Sequence, residues 1–176
     1  MKKNPLTTQS RNHVQPLAID RVISVCARKH LDVWKFASQS VIENMKAASY
    51  EVIVPDTEVA VFKDASPDAY QVSPESLYIG RYRQLLEYMI DQRIERLGWY
   101  LQQFIKLAAL EHHAQDNLLL IWDADTVPLR KLHFVAPTGK LLYYSSAERH
   151  PPYFQTIERL TELRRIVSKP QMLVTA

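Results

Sequence analysis

The run Leu118-Leu-Leu-Ile-Trp122, followed at once by Asp123-Ala-Asp125, constrains this chain more than any other stretch. Five apolar residues without polar alternation predict a strand covered on both faces, as in the middle of a parallel α/β sheet. The run stops at two carboxylates separated by one small residue. In extended chain, residues two apart point to the same side, so Asp123 and Asp125 are expected to converge while Ala124 faces away. Desolvating two like charges side by side is costly unless a cation lies between them. The expectation is a hard divalent cation with oxygen ligands, at the carboxyl end of a central strand, where open α/β sheets bind their ligands.

The remainder of the chain supplies such a sheet. Residues 20–26 read as a first strand and 31–48 as a helix, with Val33, Phe36, Ile42 and Met45 on one face. Residues 50–55 read as a second strand, stopped by Pro55. Strand, helix and strand in such a short span form a βαβ unit, which implies parallel pairing. A short helix or turn is expected at 59–63 and a third strand at 70–73, closed by Pro74. Leu85, Leu86, Met89, Ile90 and Ile94 predict a helix over 82–97; Gly98 interrupts it, and a second helix is expected over 99–113. Beyond the acidic pair, 132–134 and 140–144 are expected to pair as a hairpin around Ala136-Pro-Thr-Gly139. A helix over 153–167 and a strand beginning at Gln171 follow.

A chain of 176 residues can bury one core. The expected organisation is a polar N-terminal tail over 1–16 and a single α/β domain over 17–176. The tail has no apolar segment of the secretory kind. No apolar run approaches the ~20 residues of a membrane span. Cys26 is the one cysteine, so no disulfide framework exists and a reducing, cytoplasmic location is the default. A net charge of +3 favours anionic partners such as nucleotides, phosphates or a membrane surface only weakly, and nothing calls for a nucleic acid.

The helix before the acidic strand carries the second signal. Leu97, Leu101, Phe104 and Ala108 make its expected packing stripe. Trp99, Gln103 and Lys106 fall at i, i+4 and i+7 on another face, with Gln102 one turn before Lys106. A lysine can neutralise phosphate oxygens and amides can bond polar groups beside it. The same pattern also fits an ordinary solvated helix face.

Together these residues resemble a known family. Asp123-Ala-Asp125 at a strand end looks like the Asp-X-Asp signature of GT-A-type glycosyltransferases. Trp122-Asp-Ala-Asp-Thr-Val-Pro-Leu129 is similar to the stretch in glycogenin-like transferases, where a lysine-bearing helix also precedes it. Gly98-Trp-Tyr-Leu-Gln-Gln-Phe-Ile-Lys-Leu107 and Val72-Ser-Pro-Glu-Ser-Leu77 resemble more closely a family of bacterial proteins regarded as nucleotide-sugar glycosyltransferases of surface polysaccharide type. The resemblance spans roughly residues 22–154.

What the resemblance implies is a GT-A, Rossmann-like nucleotide-diphospho-sugar transferase fold, a mostly parallel sheet flanked by helices. It implies a donor that is a nucleotide-diphosphate sugar, a glycan or other acceptor, and Mn²⁺ or Mg²⁺. Asp125 would be the direct metal ligand, and Asp123 would reach the metal through water or touch the ribose. Lys106, with Gln102 and Gln103, would lie at the diphosphate or donor sugar, and Cys26 to Arg28 would border the base. Family members continue further, so the resemblance also implies that the acceptor half, often with a histidine metal ligand, is missing at the C-terminus. An exposed apolar patch or an oligomer covering it is expected there. His133 and His150 are the only histidines after the pair, and each reads as a packing or surface residue.

Two other readings stand beside this one. Asp123-Ala-Asp-Thr-Val127 satisfies the motif of haloacid-dehalogenase-like phosphatases, with Asp123 as nucleophile and Asp125 as general acid. That chemistry needs a later lysine, for which Lys169 is available, and a later acidic pair. No Asp follows Asp125, and Glu148, Glu158 and Glu162 lie in helix-like contexts. The third reading is a transferase fold without catalysis. Arg81, Arg83, Arg93 and Arg96 could face an anionic membrane, placing the protein at its inner surface, or simply be solvated. His112-His113 fits the negative end of a helix. Tyr143, Tyr144 and Tyr153 suit a sugar site or a core equally.

Overall fold

A computed structural model describes residues 18–116, 118–142, 144–146, 151–162 and 172–174. The expected tail over 1–16, Tyr143, Glu148, His150 and Lys169 lie outside those residues, as do the last part of the expected 153–167 helix and the ends of the last strand.

Four strands form a wholly parallel sheet: β1 (Ile19–Val25), β2 (Ala47–Val54), β3 (Tyr70–Pro74) and β4 (Leu119–Ile121), in the order β3-β2-β1-β4. The chain adds β2 and β3 on one side of β1, then returns to place β4 on the other. That reversal opens a crevice at the carboxyl ends of β1 and β4. Helices α1 (Leu31–Asn44) and α2 (Val59–Ala65) cover one face of the sheet. Helices α3 (Ser76–Ile79) and α5 (Leu97–His112) cover the other, with α4 (Arg83–Asp91) between them in the chain. Strand β1 serves both layers by simple alternation: Val22 and Cys26 pack with Trp34, Val41 and Met45, whereas Ile23 and Val25 pack with Tyr78, Ile105, Ala108 and Ala109.

Strand β4 corrects one expectation. Among the described residues it is the outermost strand of this sheet, paired with β1 alone, and not a central one. Its unbroken apolar run has another cause: Leu120 packs with Leu118 and Trp122 into one layer, while Leu119 and Ile121 pack into the other. Both faces are therefore covered although one edge ends the sheet.

Helix α1 keeps Ile42 and Met45 of the expected face at the core but turns Val33 and Phe36 away from it. Trp34, Ala37, Ser38, Val41 and Met45 are buried, whereas Val33 and Phe36 are exposed. Ala37 and Ser38 are small, and a helix packs closely on a sheet through small residues. The helix also ends at Asn44, because Ala47 and Ala48 already belong to β2.

The break between the two middle helices falls earlier than Gly98. Helix α4 ends at Asp91, and the turn that follows is made by Arg93 and Arg96 at φ 50° and 61°. Gly98 lies inside the first turn of α5. That helix packs through Leu101, Ile105, Ala108 and Ala109, which keeps Leu101 and Ala108 of the expected stripe and puts Ile105 in the place expected for Phe104. Phe104 instead stacks on Tyr82, with ring centroids 5.1 Å apart.

After β4, residues 132–142 form a tight turn with a single bridge, Val135 to Leu141, closed by Gly139 at φ 78°. Past this turn, β5 (Tyr144–Ser146) pairs antiparallel with β6 (Met172–Val174), so the last strand finds its partner within the chain; α6 (Pro151–Thr161) lies between them in sequence. Among the described residues, no helix is long and apolar enough to cross a membrane.

Candidate functional site

The acidic pair sits where the reversal opens the sheet, but its geometry is that of a turn. Trp122 N–H donates to Ile23 O at 2.9 Å, carrying the β4 ladder one residue further. The chain then folds back: Thr126 N–H donates to Asp123 O at 3.0 Å, and the Trp122 indole N–H donates to Thr126 O at 2.9 Å. Asp123 and Asp125 therefore occupy a turn and not an extended segment, so strand alternation does not aim their side chains. Ala124 is buried, while the Asp123 and Asp125 side chains are 58% and 55% exposed. Desolvation alone thus does not demand a cation here.

The two carboxylates are also chemically unequal. Lys106 Nζ donates to Asp123 Oδ1 at 2.6 Å, and the lysine side chain is only 15% exposed. Among the described residues no lysine or arginine pairs with Asp125, and His30 places Nδ1 4.0 Å from its Oδ2. The expected cation partner of Asp123 is thus a residue of the chain itself. Lys106 is brought there because α5 packs against β1 and against Leu119 and Ile121 of β4, whose end carries the turn. A half-exposed ion pair of this kind contributes little to stability, ~1 kcal/mol or less, so its interest lies in position.

One helical turn before Lys106, Gln102 donates to Val25 O at 3.3 Å and lines a cavity of about 270 Å³. The other walls come from the carboxyl ends of β1 and β2 and from the start of α5, with Cys26, Ala27, Pro55, Trp99 and Leu101 among them. Cys26 and Gln102 thus border a cavity one helical turn from Lys106. Arg28 and Gln103 do not line it. Arg28 is exposed and its backbone N–H donates to Glu58 Oε2 at 2.8 Å, so Lys29 and His30 take the wall in its place. Burial pushes the Cys26 thiol up to about 12, which makes it a poor nucleophile.

Two glutamates escaped the sequence reading. Glu75, directly after β3, lines the cavity; burial and the neighbouring Asp56 and Glu58 raise its pKa. Its signal was faint, an acid beside the proline that closes a strand. Glu51 lies in the middle of β2 and is fully buried. Its Oε1 accepts from Tyr78 OH at 2.5 Å and Ser73 OH at 2.6 Å, and its Oε2 lies 2.8 Å from His113 Nε2 and 3.5 Å from Arg21. His113 is therefore tied to the sheet, beyond its favourable place at a helix end. An acid inside an apolar strand was the available signal.

Among the described residues, no three His, Cys, Asp or Glu side chains gather closely enough to hold a metal ion by themselves. The chemistry of the pair still fits a small hard cation in one specific way. Asp125, free of a lysine, would be the carboxylate ligand, and the remaining ligands would be water and phosphate oxygens, as is usual for Mg²⁺ bound with nucleotide phosphates. Asp123, already bonded to Lys106, would act through that lysine or through water.

The chain belongs to a family of unknown function, DUF6492, whose profile matches residues 18–175. No curated protein and no solved structure matches it.

Proposed function

We propose that this protein is a metal-dependent glycosyltransferase that takes its sugar from a nucleotide-diphosphate donor and passes it to a glycan acceptor, of the surface-polysaccharide kind that the sequence resemblance implies. A GT-A-type arrangement of the parallel sheet belongs to the same proposal. The observation that carries it is the bond between Lys106 and Asp123 at the sheet's reversal, one helical turn from a cavity walled by Cys26 and Gln102.

In this reading the base and ribose enter the cavity and the diphosphate lies over Lys106. Lys106 exchanges one carboxylate oxygen of Asp123 for phosphate oxygens and holds the leaving diphosphate as a point charge. Released from the lysine, Asp123 accepts from a ribose hydroxyl or from water. Asp125 would hold the cation, which would supply Lewis-acid neutralisation of the leaving diphosphate. The sheet and α5 fix these groups in place, so that positioning carries much of the rate.

Calorimetric titration of UDP and GDP, with and without Mn²⁺, tests the reading. Wild type is expected to bind at least one nucleotide in a metal-dependent way. Asp125→Asn keeps shape and removes charge, so it should abolish the metal dependence while leaving thermal unfolding unchanged. Lys106→Ala should weaken the diphosphate roughly ten- to hundredfold, the scale of a hydrogen bond to a charged group, and spare the nucleoside. Unaltered metal-dependent binding by Asp125→Asn would overturn the proposal.

A further inference from the structure

We propose that Glu75 makes the cavity selective for guanine, so that the donor is a GDP-linked sugar; this rests on the nucleotide reading above. About 270 Å³ is small beside the roughly 300–1,000 Å³ of whole-ligand pockets. It suits one ring system of a ligand whose remainder lies outside, over Lys106. The walls are largely apolar, from Val25, Pro55, Trp99, Leu101 and Ile105, as a flat heteroaromatic ring requires. Specificity must then come from the few polar groups among them.

Two of those groups are already engaged, and Lys29 and His30 add basic side chains to the same wall, His30 with Nδ1 4.0 Å from Asp125 Oδ2. The Gln102 amide donates to Val25 O, and the Cys26 thiol lies 3.7 Å from Ala27 O as a weak donor. The acids beside the cavity are likewise occupied: Asp56 accepts from Ser76 N–H at 3.1 Å and Glu58 from Arg28 N–H at 2.8 Å. Among the described residues Glu75 is the one acid on the wall itself. Its own N–H is pinned to Val54 O at 2.8 Å, which fixes where the side chain starts, and its carboxylate has no hydrogen-bond donor among the described residues. Burial and two neighbouring carboxylates make that charge uncomfortable, as its raised pKa records. A ligand offering donors relieves it.

The bases differ in what they offer a carboxylate. Guanine presents N1–H and the N2 amino group side by side, two parallel donors that match the two oxygens as a guanidinium does. Uracil presents one N–H flanked by two carbonyl oxygens, which repel a carboxylate. Adenine and cytosine each place a ring acceptor beside their amino group. Guanine alone satisfies both oxygens of Glu75.

The test is calorimetric titration of wild type and Glu75→Gln with GDP and UDP in the presence of Mn²⁺. Wild type should bind GDP at least tenfold more tightly than UDP. Glu75→Gln is isosteric but offers one acceptor and one donor edge. It should lose roughly ten- to hundredfold in GDP affinity, the range for hydrogen bonds to a charged group, and keep or improve UDP affinity. Glu75→Asp, which retains the charge on a shorter stem, should keep the preference for GDP in weakened form. Equal binding of the two nucleotides by wild type, or an equal loss of both in Glu75→Gln, overturns the proposal and leaves the nucleotide reading standing. Binding of neither nucleotide by wild type overturns both.

Discussion

Glu51 is fully buried and surrounded by donors from four parts of the chain: Arg21 on β1, Ser73 on β3, Tyr78 on α3, and His113 just past α5. A carboxyl group this deeply buried is tolerated only because each oxygen is bonded. Glu51→Gln keeps the shape but leaves Arg21 facing a neutral amide, and its NH₂ group meets donors where an acceptor is needed. Destabilisation of about 3–5 kcal/mol is expected, as for buried pairs broken on one side, and urea denaturation measures it. A loss below about 1 kcal/mol would show that the cluster relaxes freely. Residues of this kind divide by how much their surroundings announce them. Asp123, Asp125 and Lys106 were legible because their types and spacing point to one chemistry. Their true geometry was not, since the turn made by Thr126 and the Trp122 indole depends on hydrogen bonds that spacing does not encode. Glu51 and Glu75 draw their roles from partners more than twenty residues away or from a cavity, and no local pattern carries that.

At the scale of elements, the alternation of strands and helices could be read directly, and the parallel four-stranded sheet follows from it. The faces of the helices could not. In α1 two apolar arcs overlap, and the buried one is chosen by Ala37 and Ser38, whose smallness admits the sheet, over Phe36, whose size suggested the other. Between α4 and α5 the turn uses left-handed arginines, a conformation glycine adopts more easily, while Gly98 spends its freedom inside a helix where an added Cβ meets nothing within 4 Å. Close packing of α1 leaves the Ser38 hydroxyl buried without a hydrogen-bond partner among the described residues. Ser38→Ala removes that unmet group and almost no volume. It should stabilise the protein by about 1 kcal/mol, seen as a rise in Tm of roughly 2–4 °C for a chain of this size. A fall in Tm would show that the hydroxyl has a partner after all.

For the whole molecule, the order in which strands join matters as much as their places. Residues 19–74 carry β1, β2 and β3 in one uninterrupted stretch, so three strands of the sheet can assemble over modest separations. Strand β4 must be brought back over nearly the whole intervening chain; the bond from Leu118 N–H to the Asp20 carboxylate spans 98 residues. Loop closure of that length is entropically dearer and slower than the local pairings, and β4 is short and secured on one side only. It should therefore be the last strand to dock and the first to open. In native-state hydrogen exchange the backbone amides of β4 should show protection well below that of β1 and β2, and uniform protection across the sheet would contradict this. The acidic turn rides on β4, so the proposed site exists only while that final step is complete. A ligand bridging Lys106 on α5 and Asp125 beyond β4 would then act as a clasp on the last step of folding, and the protein would be most whole when it is occupied.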